Sequence, residues 1–145
     1  MRPPCASMMV RQIASARRLS VLALTDELTG MPNRRHVLTL AEERFRAARH
    51  GQGGYALLML DLDHFKSIND HYGHEVGDRV LRRVAEVSRQ SLRGDDRLGR
   101  VGGEEFIAVL PGANEAAARE VAERVRRAVE GTDMAAVHPE LHQVT

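Results

Sequence analysis

The chain has 145 residues, a formal net charge of +1, one cysteine and no tryptophan, with 43% hydrophobic and 28% charged residues. That length supports one domain with its own core, a lone Cys5 can build neither a disulfide framework nor a cysteine-based zinc site, and no apolar run approaches the roughly 18 residues of a membrane span. Near-neutral charge and 3% aromatic residues provide neither the basic footprint nor the stacking platform of a nucleic-acid binder.

The first seven residues carry Pro3 and Pro4 and are expected to lack regular structure. Residues 1–25 hold Arg2, Arg11, Arg17 and Arg18 and no acid. This fits a helical lead-in with a solvated basic face, or alternatively a targeting or interaction arm. Val10, Ile13, Ala14, Leu19 and Leu22 predict a helix over 8–24 whose apolar stripe wants a partner, either the domain itself or a second copy. Gly30, Pro32 and Asn33 mark a structured turn. Asn33 is placed to cap a helix over 34–49, with Val37, Leu40, Ala41, Phe45 and Ala48 inward.

After the glycine-rich loop 50–54, residues 55–61 read as a buried strand, apolar on both faces. Asp63 is placed to cap a short helix over 64–70. A bend at 72–74 leads into a long helix over 75–92 with Val76, Val80, Leu81, Val84 and Val87 on one face. A short strand over 97–101, the two-residue turn Gly102-Gly103 and a returning strand over 104–110 read as a hairpin. Asn114 caps a helix to about residue 129, which Gly131 ends. The rest is loop, with 141–145 read as the start of a further strand. The order predicts an α+β fold of helices packed on an antiparallel sheet.

Several groups of residues can carry chemistry. Asp61 and Asp63 stand at i and i+2 where the strand ends, so both point to one face. Close carboxylates there suit a hard divalent cation, with the Leu62 carbonyl as a further oxygen ligand. If His64, Phe65 and Lys66 open a helix, their free N–H groups form a phosphate cradle to which Lys66 adds a charge. The plainer alternative makes Asp63 a helix cap and Asp61 a solvated strand end. Gly102 and Gly103 allow close approach of a backbone or a ligand ring. Glu104 and Glu105 follow and point to opposite faces, either as surface acids or as partners of Asp61 at a shared cation. Asn69 and Asp78 can read a guanine edge, with the amide donating to O6 and the carboxylate accepting from N1–H and N2–H. They equally suit a helix C-cap and a first-turn acid, and His74 beside them suits a simple turn residue. Arg93 and Asp96, before the hairpin, fit a guanine-and-phosphate contact or a polar turn.

Together these residues resemble the GGDEF family of diguanylate cyclases. The likeness rests on 61–70 (DLDHFKSIND), Gly73-His74, Gly77-Asp78 and 102–106 (GGEEF), and on an opening motif over 26–35 (DELTGMPNRR). It covers about 24–145. It implies a palm-like, ferredoxin-like antiparallel sheet flanked by helices, similar to class III nucleotidyl cyclases, and condensation of two GTP into cyclic di-GMP with release of pyrophosphate. It implies two Mg²⁺ or Mn²⁺ ions per active site on Asp61, the Leu62 carbonyl and Glu104, with Glu105 assisting. Glu104 and Lys66 are then catalytic, Glu104 taking the proton of the ribose 3′-hydroxyl. His64, Phe65 and Lys66 hold phosphates, Asn69, His74 and Asp78 hold guanine and ribose, and Gly102 and Gly103 line the site. Arg93 and Asp96 match the family's RxxD product-inhibition site, with Arg124 as a second arginine. An inactive module that binds cyclic di-GMP through that site is the alternative.

Each domain would hold one GTP, so a two-fold homodimer with facing active sites is expected. Residues 1–24 then form a signalling-helix segment and residues 25–145 the catalytic domain. In the family the strand beginning near Gln143 continues into further elements, so the domain is expected to be incomplete at its C-terminus. Use of GTP leads us to expect a cytoplasmic site of action, possible tethering to a membrane by an upstream region included.

Overall fold

A computed structural model describes residues 15–19 and 23–145. Residues 15–19 and 23–24 are helical, and the rest of the helix expected over 8–24 lies outside the described residues, as do Cys5, Arg2 and Arg11. The elements that follow are α1 (Arg34–Arg49), β1 (Tyr55–Asp61), α2 (Phe65–Tyr72), α3 (His74–Gln90), β2 (Arg97–Arg100), β3 (Glu105–Pro111) and α4 (Glu115–Glu130). Asn33 caps α1 by accepting from the His36 N–H, and Asn114 caps α4 by accepting from the Ala117 N–H. Both caps are where the sequence puts them, because an Asn side chain satisfies an amide that has no partner in the first turn.

The strands form one antiparallel sheet in the order β1-β3-β2. Tyr55 pairs with Pro111 and Asp61 with Glu105 along β1–β3, and Arg97 pairs with Val109 and Arg100 with Phe106 along β2–β3. The period of two sends Phe106, Ala108 and Leu110 to one face. There they join Val80, Leu81, Val84, Val121 and Val125 in the main core, which Met134, Val137, Leu141 and Val144 close from the C-terminal segment. On the other face Ile107 and Val109 pack with Val37 and Ala41 of α1. Gly99 permits that contact, since a Cβ there would run into Val37 Cβ and stand 2.7 Å from both of its Cγ atoms. The α+β class of helices on an antiparallel sheet is therefore the fold.

Several local expectations change. β1 is not buried on both faces, because it lies at a sheet edge and α1 sits over β3 and β2: Leu57 is 45% and Met59 67% exposed. Phe45 is exposed as well, meeting Tyr55 edge-on with Arg49 5.8 Å above its ring. Asp63 does not cap α2. His64 takes that position in the left-handed region at φ 58°, with no side-chain cap. The strand expected over 141–145 is an irregular segment, which the Asp63 N–H holds through the Thr145 carbonyl at 2.8 Å. Gly102-Gly103 is not a two-residue turn. Residues 101–104 separate the strands, and neither glycine takes a positive φ.

Candidate active site

β1 delivers Asp61 to the end of the sheet, and the chain turns at once into α2. The left-handed His64 makes that turn possible in so few residues; such a backbone is uncommon outside glycine and is tolerated by His better than by most residues. Leu62 is buried, Asp61, Asp63, His64 and Lys66 are exposed, and Phe65 is buried in the core. Because His64 provides no side-chain cap, the first N–H groups of α2 remain free among the described residues, and Ile68 is the first to donate inward, to the His64 carbonyl at 3.2 Å. Lys66 Nζ lies 2.9 Å from Asp70 Oδ2 in an exposed pair one turn on. A cleft of about 380 Å³ runs between α2 and the C-terminal segment, walled by His64, Ser67, His71, Tyr72 and Val144.

The hairpin brings the second acid. Glu105 is the cross-strand partner of Asp61, and the Leu62 N–H donates to the Glu104 carbonyl at 3.3 Å. Asp61, Leu62 and Glu104 therefore occupy one end of neighbouring strands. The hairpin is fixed by its carbonyls. Arg34 Nη1 donates to Val101 O at 3.0 Å, and Arg100 donates to Gly102 O at 3.2 Å and to Gly103 O at 2.8 Å. The same guanidinium reaches Asp26 at 3.2 and 3.3 Å, and Asp26 also accepts from the Thr29 amide and hydroxyl. Burial alone pushes the Asp26 carboxyl up, but the Thr29 hydrogen bonds and the Arg100 charge outweigh it and hold the group below its ordinary 3.8. The opening sequence motif assigns Asp26 no role, and nothing in the local sequence marks Arg100. Their contact spans 74 residues, and no local spacing announces it.

Glu105 stands opposite Asp61 across the strand pair. Its Oε2 lies 2.5 Å from where a Gly102 Cβ would be, folded over the hairpin glycine. Among the described residues no three Asp, Glu, His or Cys side chains gather as a metal-holding group. The donors at this end are all oxygens: the Asp61 and Glu104 carboxylates, with Glu105 beside them, and the carbonyl of the buried Leu62, which accepts no hydrogen bond among the described residues. Hard oxygen donors of this kind fit Mg²⁺ or Mn²⁺ and not a soft metal.

Asn69 on α2 and His74 and Asp78 near the start of α3 flank the corner where the two helices meet. Gly73 makes the corner with φ 85°, a conformation that costs little only for glycine. His74 and Asp78 are exposed and Asn69 is half-buried. Arg93 and Asp96 sit at the far end of α3, where the Arg93 N–H donates to Asp96 Oδ2 at 2.8 Å. They line a cleft of about 690 Å³ with Arg89, Arg97 and Pro32. Arg124 is not among the residues lining it. It projects from α4 and its Nε donates to the Ser91 carbonyl at 2.7 Å, two residues before Arg93.

This fold and this pairing of acids at the strand ends define a nucleotide-cyclase type of domain. The chain belongs to the GGDEF family: the family model "Diguanylate cyclase, GGDEF domain" matches residues 23–144. It is 48% identical over 108 residues to diguanylate cyclase DgcP of Pseudomonas aeruginosa, covering 74% of this chain and 16% of that protein. It is 39% identical over 117 residues to response regulator PleD of Caulobacter vibrioides, covering 81% and 26%. The chain thus spans about a quarter or less of the length of these curated relatives. Among solved structures it is similar to diguanylate cyclase SiaD of P. aeruginosa in complex with its activator SiaC, with 43% identity, a TM-score of 0.79 and coverage of 96% of this chain and 52% of that one. The coiled coil and GGDEF domain of DgcB from Caulobacter crescentus, in complex with c-di-GMP, superposes with a TM-score of 0.87 at 26% identity, covering 96% and 74%. No helix among the described residues is long and apolar enough to cross a membrane.

Proposed function

We propose that this chain is a diguanylate cyclase catalytic domain, condensing two GTP into cyclic di-GMP with release of pyrophosphate. The observation that carries the reading is the meeting of Asp61, the Leu62 carbonyl and Glu104 at one sheet end, directly before the uncapped first turn of α2. In this reading Asp61, Leu62 O and Glu104 hold Mg²⁺ or Mn²⁺, two ions per active site. When bound, the ions neutralise charge on the attacking and leaving oxygens. Glu104 accepts the proton of the ribose 3′-hydroxyl. That oxygen forms a bond to the α-phosphorus of a second GTP as the bond to pyrophosphate breaks, and a second such displacement closes the ring.

The N–H groups of Phe65 and Lys66, next to His64, face the β- and γ-phosphates at the positive end of α2, and the exposed Lys66 ammonium adds charge there. Asn69 and Asp78 read the guanine edge, His74 lies against the ribose, and Gly102 and Gly103 allow the nucleotide to approach the hairpin. Because one domain holds one GTP, the reaction needs a two-fold homodimer with facing sites, paired through the helix preceding residue 25. The substrate places the activity in the cytoplasm.

Incubation of the chain with GTP and Mg²⁺, with cyclic dinucleotide and pyrophosphate both quantified, tests the reading. Glu104→Gln should keep its far-UV circular dichroism and lose turnover by about 10²-fold or more. Equal turnover in Glu104→Gln removes the role of Glu104, and no cyclic dinucleotide from the wild type overturns the cyclase reading. A second reading, a cyclic di-GMP-binding module, is favoured by the Arg93–Asp96 turn at the mouth of its arginine-lined cleft. Titration calorimetry with cyclic di-GMP should give heat with wild type and little with Arg93→Ala; absence of heat in both removes it.

A further inference from the structure

Gly77 lies in the first turn of α3, buried, one residue before Asp78. A Cβ on it would collide with Asn69 Oδ1, stand 2.9 Å from Asn69 Cγ and lie 3.3 Å from Phe65 Cζ. The Asn69 carboxamide thus rests directly against the bare Cα of Gly77, across the corner that Gly73 makes. Two backbone bonds hold the corner, from Gly73 N–H to Asn69 O at 2.9 Å and from Gly77 N–H to Gly73 O at 3.2 Å. The Asn69 carboxamide has no hydrogen-bond partner among the described residues, and no buried side-chain nitrogen or oxygen among them is left unpaired. Its amide is therefore placed by shape and left open to a ligand.

We propose that Gly77 is a specificity-determining positioning residue: by lacking a side chain it seats the Asn69 carboxamide where it can read the nucleobase. This rests on the reading of Asn69 and Asp78 as the guanine contacts and names what aims one of them. A glycine inside a helix is otherwise a disadvantage, since alanine is the better helix former. Here the methyl group would occupy the volume of the amide. Asn69 is a short side chain with few rotamers, so it would yield by swinging away and leave the helix intact. Selectivity should then fall while folding does not. The amide N–H₂ donates to O6 of guanine, whereas adenine carries an amino donor at the same place, so the loss should fall on guanine alone.

The test uses 3′-deoxy-GTP and 3′-deoxy-ATP, which lack the attacking hydroxyl, with Mg²⁺, measured by calorimetry on the wild type, Gly77→Ala, Asn69→Ala and the double variant. Gly77→Ala should bind 3′-deoxy-GTP about tenfold more weakly, the size of one lost hydrogen bond to the base, with 3′-deoxy-ATP binding unchanged and the far-UV circular dichroism of the fold retained. Asn69→Ala should match it, and the double variant should be no weaker than Asn69→Ala, because Gly77 acts only through that side chain. Unchanged guanine affinity in Gly77→Ala, or a full additional loss on the Asn69→Ala background, overturns the inference while leaving the cyclase reading standing. A wild type with no preference for the guanine nucleotide overturns both.

Discussion

The two halves of the site are built differently. The hairpin carrying Glu104 is held at consecutive carbonyls: Arg34 on Val101, Arg100 on Gly102 and Gly103, and the Leu62 N–H on Glu104. Behind it Arg100 closes on Asp26, an ion pair whose side chains are 17% and 21% exposed. The β1 exit and the start of α2 have little of this. Among the described residues α2 has no side-chain cap, Lys66 pairs with the exposed Asp70, and Asp63 is tied through its amide to Thr145. One half is held along its backbone, and the other offers N–H groups with no partner among the described residues and an exposed lysine. A proton acceptor needs fixed geometry within a fraction of an ångström, whereas phosphate oxygens tolerate a donor set that closes around them. In the proposed reading, the held side is the one that carries the proton acceptor.

Arg100→Ala should break the contrast most, since it frees Gly102 and Gly103 together and leaves Asp26 partly buried without its cation. We expect about 2–3 kcal/mol of lost stability by urea denaturation, and a loss under about 0.5 kcal/mol would show that the hairpin holds itself. Asp26→Asn comes next. The folded carboxyl is held below 3.8, so its contribution is complete above the unfolded value and disappears as the pH falls through the folded one. The stability gap between wild type and Asp26→Asn should be clear at pH 6 and shrink by pH 3. A gap independent of pH would assign the Asp26 contribution to packing.

On the looser side the effects should be smaller. His64→Gly relieves a left-handed backbone at φ 58° and should raise stability by up to about 1 kcal/mol, read from the same urea curves. A loss would mean that the His64 side chain is held by contacts beyond its backbone. Lys66→Ala should change stability by less than about 0.5 kcal/mol, because an exposed i,i+4 pair contributes little. A larger drop would mean that α2 depends on its surface pair, and the difference between the two halves would narrow.

Much of the site was legible before the fold was known. A carboxylate at a strand exit, a helix beginning after it and an acid beside a diglycine turn are local patterns, and Asp61, Leu62 and Glu104 lie together because strand ends and hairpins bring such patterns to one edge. Other features were not legible. The contact of the Glu105 carboxylate with the backbone of Gly102 has no local signal, since it depends on how residues 101–104 close the hairpin. Asp63 has the side chain of a helix cap, yet the turn from β1 is so abrupt that His64 takes the position in a left-handed conformation. The bond from Arg124 to the Ser91 carbonyl, two residues before Arg93, depends on how α4 packs against α3.

Sequence alone determined the helix boundaries at Asn33 and Asn114, the strand over 55–61, the α+β class and membership of the cyclase family, since caps, periodicity and motif spacing act over a few residues. Tertiary structure decided what distant segments do to one another: the grip of Arg100 on Asp26, the seat that Gly77 leaves for Asn69, and the exposure of Leu57 and Met59 on an edge strand. Those depend on which surfaces meet after the chain has closed on itself, and excluded volume and charge between remote residues leave no mark in the local pattern.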